Sequence, residues 1–361
     1  MDRRWSELAA QLIRGLQITK GSKVSIFMTD FGCMDGVSAF VAECYKVEAL
    51  PQVMATDERF DRIAQDFASD EMLRSPAELE VLSMEWADVH VSFRGMVIPD
   101  ADTDQAKVAA QRQGKGIVST KRWQETRWCL VRVPSREWAA MIGSNYEDLL
   151  NEFFGGCLSD WDKQEKLQTE FCKLLDQAKQ IRIVSKDTDL ILSVEGRKWL
   201  SFSGEANLPD GEVASAPVEN GVDGHIKFPG EFWFSGVTIR DLELRFEKGK
   251  VVGFTASQGA ELVEGVLATD KGSRTLGELG IGTNSNMKTL TGDLLLDEKI
   301  LGTVHIALGR AYPDSLGTNE SALHWDLVKD LREEGASLFI DETELISNGQ
   351  LCAPLSNFTL N

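Results

Sequence analysis

The sequence predicts an α/β protein in two parts. An amino-terminal open, mostly parallel α/β sheet comes first, and a β-rich α+β domain follows it. Three observations lead there. At 361 residues the chain exceeds the usual span of a single compact core. Residues 20–135 alternate short apolar runs with stretches of helical spacing. From about residue 180 the texture changes to short strands at hairpin spacing. The expected division is therefore an α/β scaffold domain over 1–180 and a β-rich domain over 181–361.

The first stretch, MDRRWSELAAQLIRGLQITKG, reads as a charged amphipathic helix. It lacks the apolar centre and small-residue cleavage site of a secretory signal, and no apolar run approaches the roughly 18 residues of a membrane span. KVSIFMT (23–29) reads as a strand, GVSAFVAECYKVEAL (36–50) as a helix and PQVMAT as the next strand. ADVHVSF (87–93), KGIVST (115–120) and RWCLVRV (127–133) are further β-type runs. Strand–helix–strand order favours a parallel sheet covered by helices. The first turn, TDFGCMDG, is not GxGxxG, so a dinucleotide site is not supported. Residues 145–180 read as helical with one Gly-Gly interruption, and EFWFSGVTIRDLELRFEKGKVVGFTA reads as hairpins with EKGK at one turn.

Composition narrows the function classes. With 38 basic against 57 acidic residues the formal charge is −19, which repels phosphate backbones, so nucleic acid is not an expected partner. Cys33, Cys44, Cys129, Cys157, Cys172 and Cys352 form no CxxC pair, as expected of reduced thiols in a cytoplasmic protein. No Gly-x-Ser-x-Gly elbow occurs.

The chemistry concentrates in the second half. In ALHWDLV (322–328), residues i and i+2 of a strand share a face, so His324 and Asp326 converge while Trp325 points away. An imidazole and a carboxylate on one face make half a site for a divalent metal, although H-x-D alone is a common pattern and by itself reads as a hydrogen-bonded structural pair. His305, in VHIAL, would by itself read as a satisfied core histidine. Glu278, set in LGELGIG, changes the balance, because a carboxylate there is costly to bury unless it is paired or metal-bound. Glu212 after the Pro-Asp-Gly turn and Glu298 in LLLDEKIL pose the same problem less sharply, and either could lie on a solvated turn. Four carboxylates and two neutral imidazoles carry about −4, a charge that two divalent cations would neutralise. His90 reads as a core or sheet-edge residue, His225 as part of an exposed Gly-rich loop, and the nine tryptophans as packing.

The motifs PDGEV, LGELGIGTN, HIALGRAY and HWD, in that order, resemble those of the thermophilic-type metallo-aminopeptidases, the aminopeptidase T and aminopeptidase S group. The resemblance covers roughly residues 200–345. It implies a cocatalytic pair of divalent metals (zinc, cobalt or manganese), a small peptide or related amide as substrate, and a homodimer. Carried over, Glu212, Glu278, His305, His324 and Asp326 fall on ligand positions, and Tyr312 on the catalytic tyrosine. The family's further glutamate ligand stands five residues before the first histidine, where this chain has Ile300; Glu298 takes that role if the loop carries a two-residue insertion. Glu278 would bridge the metals or act as the base, and Tyr312 would donate a hydrogen bond to the developing oxyanion.

Rival readings have discriminating features. A ring-cleaving dihydroxypyridine dioxygenase shares the scaffold and would use His305, His324 and Asp326 around one ferrous ion, leaving Glu212, Glu278 and Tyr312 without a task. A non-catalytic binding module would have no need of the full ligand set. A hydrolase acting on a non-peptide amide stays open, because the leaving-group pocket has no signature.

Overall fold

The computed structural model describes residues 2–96, 98 and 104–357, and the chain divides into two compact units. The first comprises Met1–Leu158 with Gly204–Pro209, the second Ser159–Ser203 with Asp210–Asn361.

In the first unit α1 (Arg3–Gly15) is capped by Asp2 and buries Trp5, Leu8, Ala9, Leu12 and Ile13, one stripe of a 3.6-residue period. Then follow β1 (Lys23–Met28), α2 (Met34–Lys46), β2 (Leu50–Ala55), α3 (Glu58–Phe67), α4 (Asp70–Arg74), α5 (Glu78–Trp86) and β3 (Val89–Gly95). The unit continues through α6 (Gln105–Glu125), β4 (Arg127–Val133), α7 (Arg136–Met141) and α8 (Tyr146–Cys157). The strands pair in parallel in the order β2-β1-β3-β4, as strand–helix–strand order requires.

Two local expectations are corrected. The run 115–120 is not a strand but the middle of α6, a helix started by the Asp104 cap on the Ala106 and Lys107 amides. Its β-branched residues suggested a strand, yet Val118 is needed at helical spacing, where it packs with Phe27 and Met84. The Gly155–Gly156 pair does not interrupt the helix either: it lies inside α8, and the break comes at Leu158–Asp160, where the Asp160 side chain caps α9 (Trp161–Leu175).

That break is also where the units divide, earlier than residue 180. The reason is the burial of α9. Phe171, Cys172 and Leu175 join the core of the second unit, and Gln168 Nε2 donates to Phe202 O and Thr283 Oγ1 at 3.0 and 2.9 Å.

The second unit continues with β5 (Gln180–Ser185), β6 (Thr188–Ser193) and β7 (Leu200–Phe202). The chain then returns to the first unit for β8 (Asn207–Leu208), which pairs in parallel with β4. After it come β9 (Glu212–Ser215), β10 (Val222–Phe234), β11 (Val237–Glu247), β12 (Lys250–Thr255), α10 (Ala260–Leu267) and β13 (Leu276–Gly282). The last elements are α11 (Leu294–Asp297), β14 (Thr303–Gly309), β15 (His324–Asp330), β16 (Ser337–Ile340), β17 (Thr343–Ser347) and β18 (Gln350–Leu351).

These strands build two antiparallel sheets, an eight-stranded one ordered β12-β11-β10-β6-β5-β16-β17-β18 and a five-stranded one ordered β15-β14-β13-β9-β7. Ile183, Leu190 and Leu244 of the larger sheet share a core with Leu279, Ile281, Ile306 and Leu327 of the smaller. EKGK is the turn between β11 and β12, with Lys248 and Gly249 at φ 48° and 78° as a two-residue hairpin connection demands. His225 is not in a loop, as expected from its glycines, but within β10, where it pairs with Arg245 and Asp189.

Candidate metal centre

The five-stranded sheet sorts its residues by parity. On one face Val213, Leu279, Ile281, Val304, Ile306, Leu308, Trp325 and Leu327 are buried in the core. On the other face the cross-strand partners are Glu212 with Gly282, Gly280 with His305, Glu278 with Ala307, Ala307 with Asp326, and Gly309 with His324. Five of the six candidate ligands therefore share one face, separated only by glycine and alanine. Period-two alternation produces this directly, because each motif places its polar residue one step from a core residue. One irregularity is required: Leu276 is in the core while Glu278 is on the site face, and the register shifts between them. Gly277 makes the bulge possible, since a Cβ there would lie 2.3 Å from Gly309 O.

The small residues are equally demanded by space. A Cβ on Gly280 would lie 2.0 Å from His305 Cε1, so the imidazole lies against bare backbone. A Cβ on Gly282 would lie 2.1 Å from Ile300 O, where the segment after α11 runs beside the sheet. That segment is held by Asn284, whose amide donates to Lys299 O at 2.8 Å and whose carbonyl accepts from Leu301 N at 3.0 Å.

The sixth candidate, Glu298, arrives at the end of α11. The extra length before His305 is folded into a turn, with Thr303 N on Ile300 O at 3.1 Å and Thr303 Oγ1 on the same oxygen at 2.9 Å. Ile300 is buried with the apolar residues, and Glu298 faces the site.

Two groups result, each able to hold a cation: Glu212, Glu298 and His305, fully buried, and Glu278, His324 and Asp326, more open. They touch, because His305 Nε2 is 3.3 Å from Glu278 Oε1 and 3.6 Å from Glu212 Oε2. His324 Nε2 is 3.3 Å from Asp326 Oδ1 and 3.7 Å from Glu278 Oε2, while its Nδ1 is 2.9 Å from Arg310 O. The backbone carbonyl can only accept, so it fixes the tautomer that leaves Nε2 for a ligand. Tyr312 lies beside this group, its ring centroid 5.2 Å from that of His324.

The electrostatics are dominated by the clustered carboxylates. Burial opposes a charged His305, but its hydrogen bond to Glu278 and the charges of Glu212 and Glu298 raise its pKa to about 9. Burial likewise opposes a charged His324, and Asp326 with Glu278 raises it to about 10. Burial pushes Glu298 up to about 8, helped by Glu212 and opposed by Lys299. Burial would raise Asp326 too, yet the His324 charge and hydrogen bond hold it at about 2. Tyr312 is pushed well above the usual phenol range by burial and by the charges of Glu278 and Asp326. Glu212 Oε2, Glu278 Oε2 and His305 Nδ1 are buried with no hydrogen-bond partner. Orphaned carboxylate oxygens and proton-attracting imidazoles on one face fit a pair of divalent cations.

Sequence reasoning did not find Lys299, whose Nζ sits between Glu212 and Glu298, or Asp210, which is fully buried 3.7 Å from it. The one available signal was an alternation of charge inside otherwise apolar text, PDGE and DEKIL. Asp297, adjacent to Glu298, faces elsewhere: it accepts from the Thr291 and Gly292 amides at 2.7 Å and closes that loop. His90 is buried, 3.4 Å from Ser25 Oγ and edge-on to Phe27, as a core histidine.

A sheet face carrying two adjoining carboxylate–imidazole groups defines a protein built to hold divalent metal. The chain belongs to the thermophilic metalloprotease family (M29), whose profile matches residues 2–350. The family anticipated from the motifs is thus borne out. Aminopeptidase 2 of Geobacillus stearothermophilus is 26% identical over 243 residues, 56% of this chain and 58% of that protein. Aminopeptidase T of Thermus thermophilus is 32% identical over 164 residues, 38% of this chain and 40% of that protein. These alignments span less than two thirds of either relative. Among solved structures, wild-type AmpT from Thermus thermophilus superposes with a TM-score of 0.82 at 22% identity, covering 97% of this chain and 99% of its own. The 2,5-dihydroxypyridine dioxygenase of Pseudomonas putida KT2440 gives a TM-score of 0.59 at 13% identity, covering 98% of both chains. At these identities both likenesses establish the fold, and the mixed α/β class expected from the sequence is borne out with them.

Proposed function

We propose that the protein is a metal-dependent aminopeptidase that removes amino-terminal residues from small peptides. The chemistry is housed in the second unit, and the first serves as scaffold. The observation that carries this reading is the presence of two donor groups on one sheet face instead of a single facial triad. Glu212, Glu298 and His305 would hold one ion and Glu278, His324 and Asp326 the other, as zinc, cobalt or manganese. Bound there, a pair of divalent cations lowers the pKa of water and polarises a carbonyl.

The chain's own groups supply the rest. Glu278 Oε2, buried and without a hydrogen-bond partner, is placed to take a proton. Tyr312 keeps its proton at any working pH, so its hydroxyl donates to an oxyanion. Arg310 O holds the His324 ring in one orientation through Nδ1. The shared fold leaves an iron-dependent dioxygenase as the competing reading, with His305, His324 and Asp326 around one iron. That arrangement gives no task to Glu212, Glu298 and Glu278, three buried carboxylates of the same site.

Among the described residues no helix is long and apolar enough to cross a membrane. A cytoplasmic homodimer is the assembly we expect. The test is a chelator-stripped sample reloaded with zinc, cobalt or manganese and assayed on aminoacyl anilides and short peptides with and without oxygen. About two metals per chain and oxygen-independent hydrolysis are expected. One tightly bound iron with oxygen consumption would overturn the proposal.

A further inference from the structure

Lys299 is buried within the enclosed metal group, although an ammonium cannot ligate a cation. Its Nζ donates to Glu212 Oε1 at 2.6 Å and lies 2.9 Å from Glu298 Oε1 and 3.7 Å from Asp210 Oδ1. The side chain is 1% exposed. The contacts discriminate between atoms. Lys299 takes Oε1 of both glutamates, whereas Glu212 Oε2 has no hydrogen-bond partner and points to His305 Nε2, 3.6 Å away. A carboxylate gripped by one oxygen presents the other in a fixed direction.

Two roles fit a buried ammonium beside carboxylates: lowering the net charge, or aiming the oxygens. Asp210 decides between them. It is as fully buried as Lys299 and brings one negative charge for the lysine's positive one. The pair therefore leaves the charge of the four donor carboxylates at about −4, the value two divalent cations balance. A lysine present to reduce that charge would not be accompanied by an aspartate that restores it.

We propose, on the metalloenzyme reading above, that Lys299 is a positioning residue for one metal subsite only. It anchors the back oxygens of Glu212 and Glu298 so that their free oxygens converge with His305 Nε2 on a divalent cation. The other group makes no such contact with it: the ion pairs described for Glu278 and Asp326 are with His305 and His324, and Lys299 reaches Asp326 only through its charge. Loss of Lys299 then empties one subsite and spares its neighbour.

The experiment is a cobalt(II) titration of chelator-stripped full-length protein, followed by calorimetry and by visible absorption. Wild type takes up about two ions per chain. Lys299→Met takes up about one, with the absorption of the retained ion unchanged. Lys299→Met with Asp210→Asn, which restores the charge balance but not the anchor, also takes up about one. Two ions in the single variant would overturn the inference. Recovery of two in the double variant would assign Lys299 to charge balance and overturn it equally. A cobalt-loaded wild-type crystal structure tests it without any variant: Nζ stays on both Oε1 atoms, and its departure from either refutes the role. No cobalt bound by wild type would instead sink the metalloenzyme reading, and the inference with it.

Discussion

Gly280→Ala tests the candidate site at its tightest point. A Cβ at this position would lie 2.0 Å from His305 Cε1, 2.3 Å from Nε2 and 2.8 Å from Nδ1. Non-bonded carbons rest at about 3.5–4.0 Å, so the ring must retreat by roughly 1.5 Å. The backbone cannot absorb this, because Val304 and Ile306 on either side are fully buried. The glycine has no left-handed φ, so alanine strains nothing locally and slightly favours the strand. The harm falls on Nε2. A displacement of about 1 Å at a reacting centre lowers rate by about 10²-fold. We expect kcat/KM on an aminoacyl anilide to fall by about that factor, with one metal per chain lost and the melting temperature lowered by a few degrees, as overpacking by about 1–3 kcal/mol does. Gly265→Ala is the control, since a Cβ in that position of α10 meets nothing within 4 Å. Wild-type rate and full metal content in Gly280→Ala would refute the placement of His305 as a ligand.

Three further outcomes are expected. Tyr312→Phe lowers kcat by on the order of 10²–10³ with little change in KM, as loss of one oxyanion donor does; full kcat removes Tyr312 from the mechanism. Glu298→Ala empties the enclosed subsite and leaves the other filled, read by metal analysis; unchanged content would make Glu298 a structural acid. Metal affinity rises with pH up to about 10, because His305, His324 and Glu298, raised to about 9, 10 and 8, hold protons at neutral pH that a cation must displace. Calorimetry in buffers of differing ionisation enthalpy counts those protons, and a pH-independent affinity would contradict the assignment.

What could be read from the sequence was whatever obeys a local period. His324 and Asp326 converge because they are two apart in a strand, and Trp325 turns into the core for the same reason. Glu278 and its glycines announced themselves as a charge in apolar text. The partnership of Lys299 with Glu212 joins residues 87 apart in sequence, and DEKIL taken locally is only a turn. The length of α6 escaped because tertiary packing of Val118 overrode the β preference of its neighbours. The unit boundary escaped because the core that claims α9 is assembled from later strands.

The parity of the five-stranded sheet has a consequence for how the chain matures. Sliding β13 by one residue against β14 would bring Leu279 and Ile281 to the outer face and drive Glu278 inward among leucines. Glu278, the donor that strand carries, would be lost in a single step. On the proposed metalloenzyme reading, capture of the second cation reports correct pairing of β13: a chain with that strand out of register keeps Glu212, Glu298 and His305 but has an incomplete second donor group.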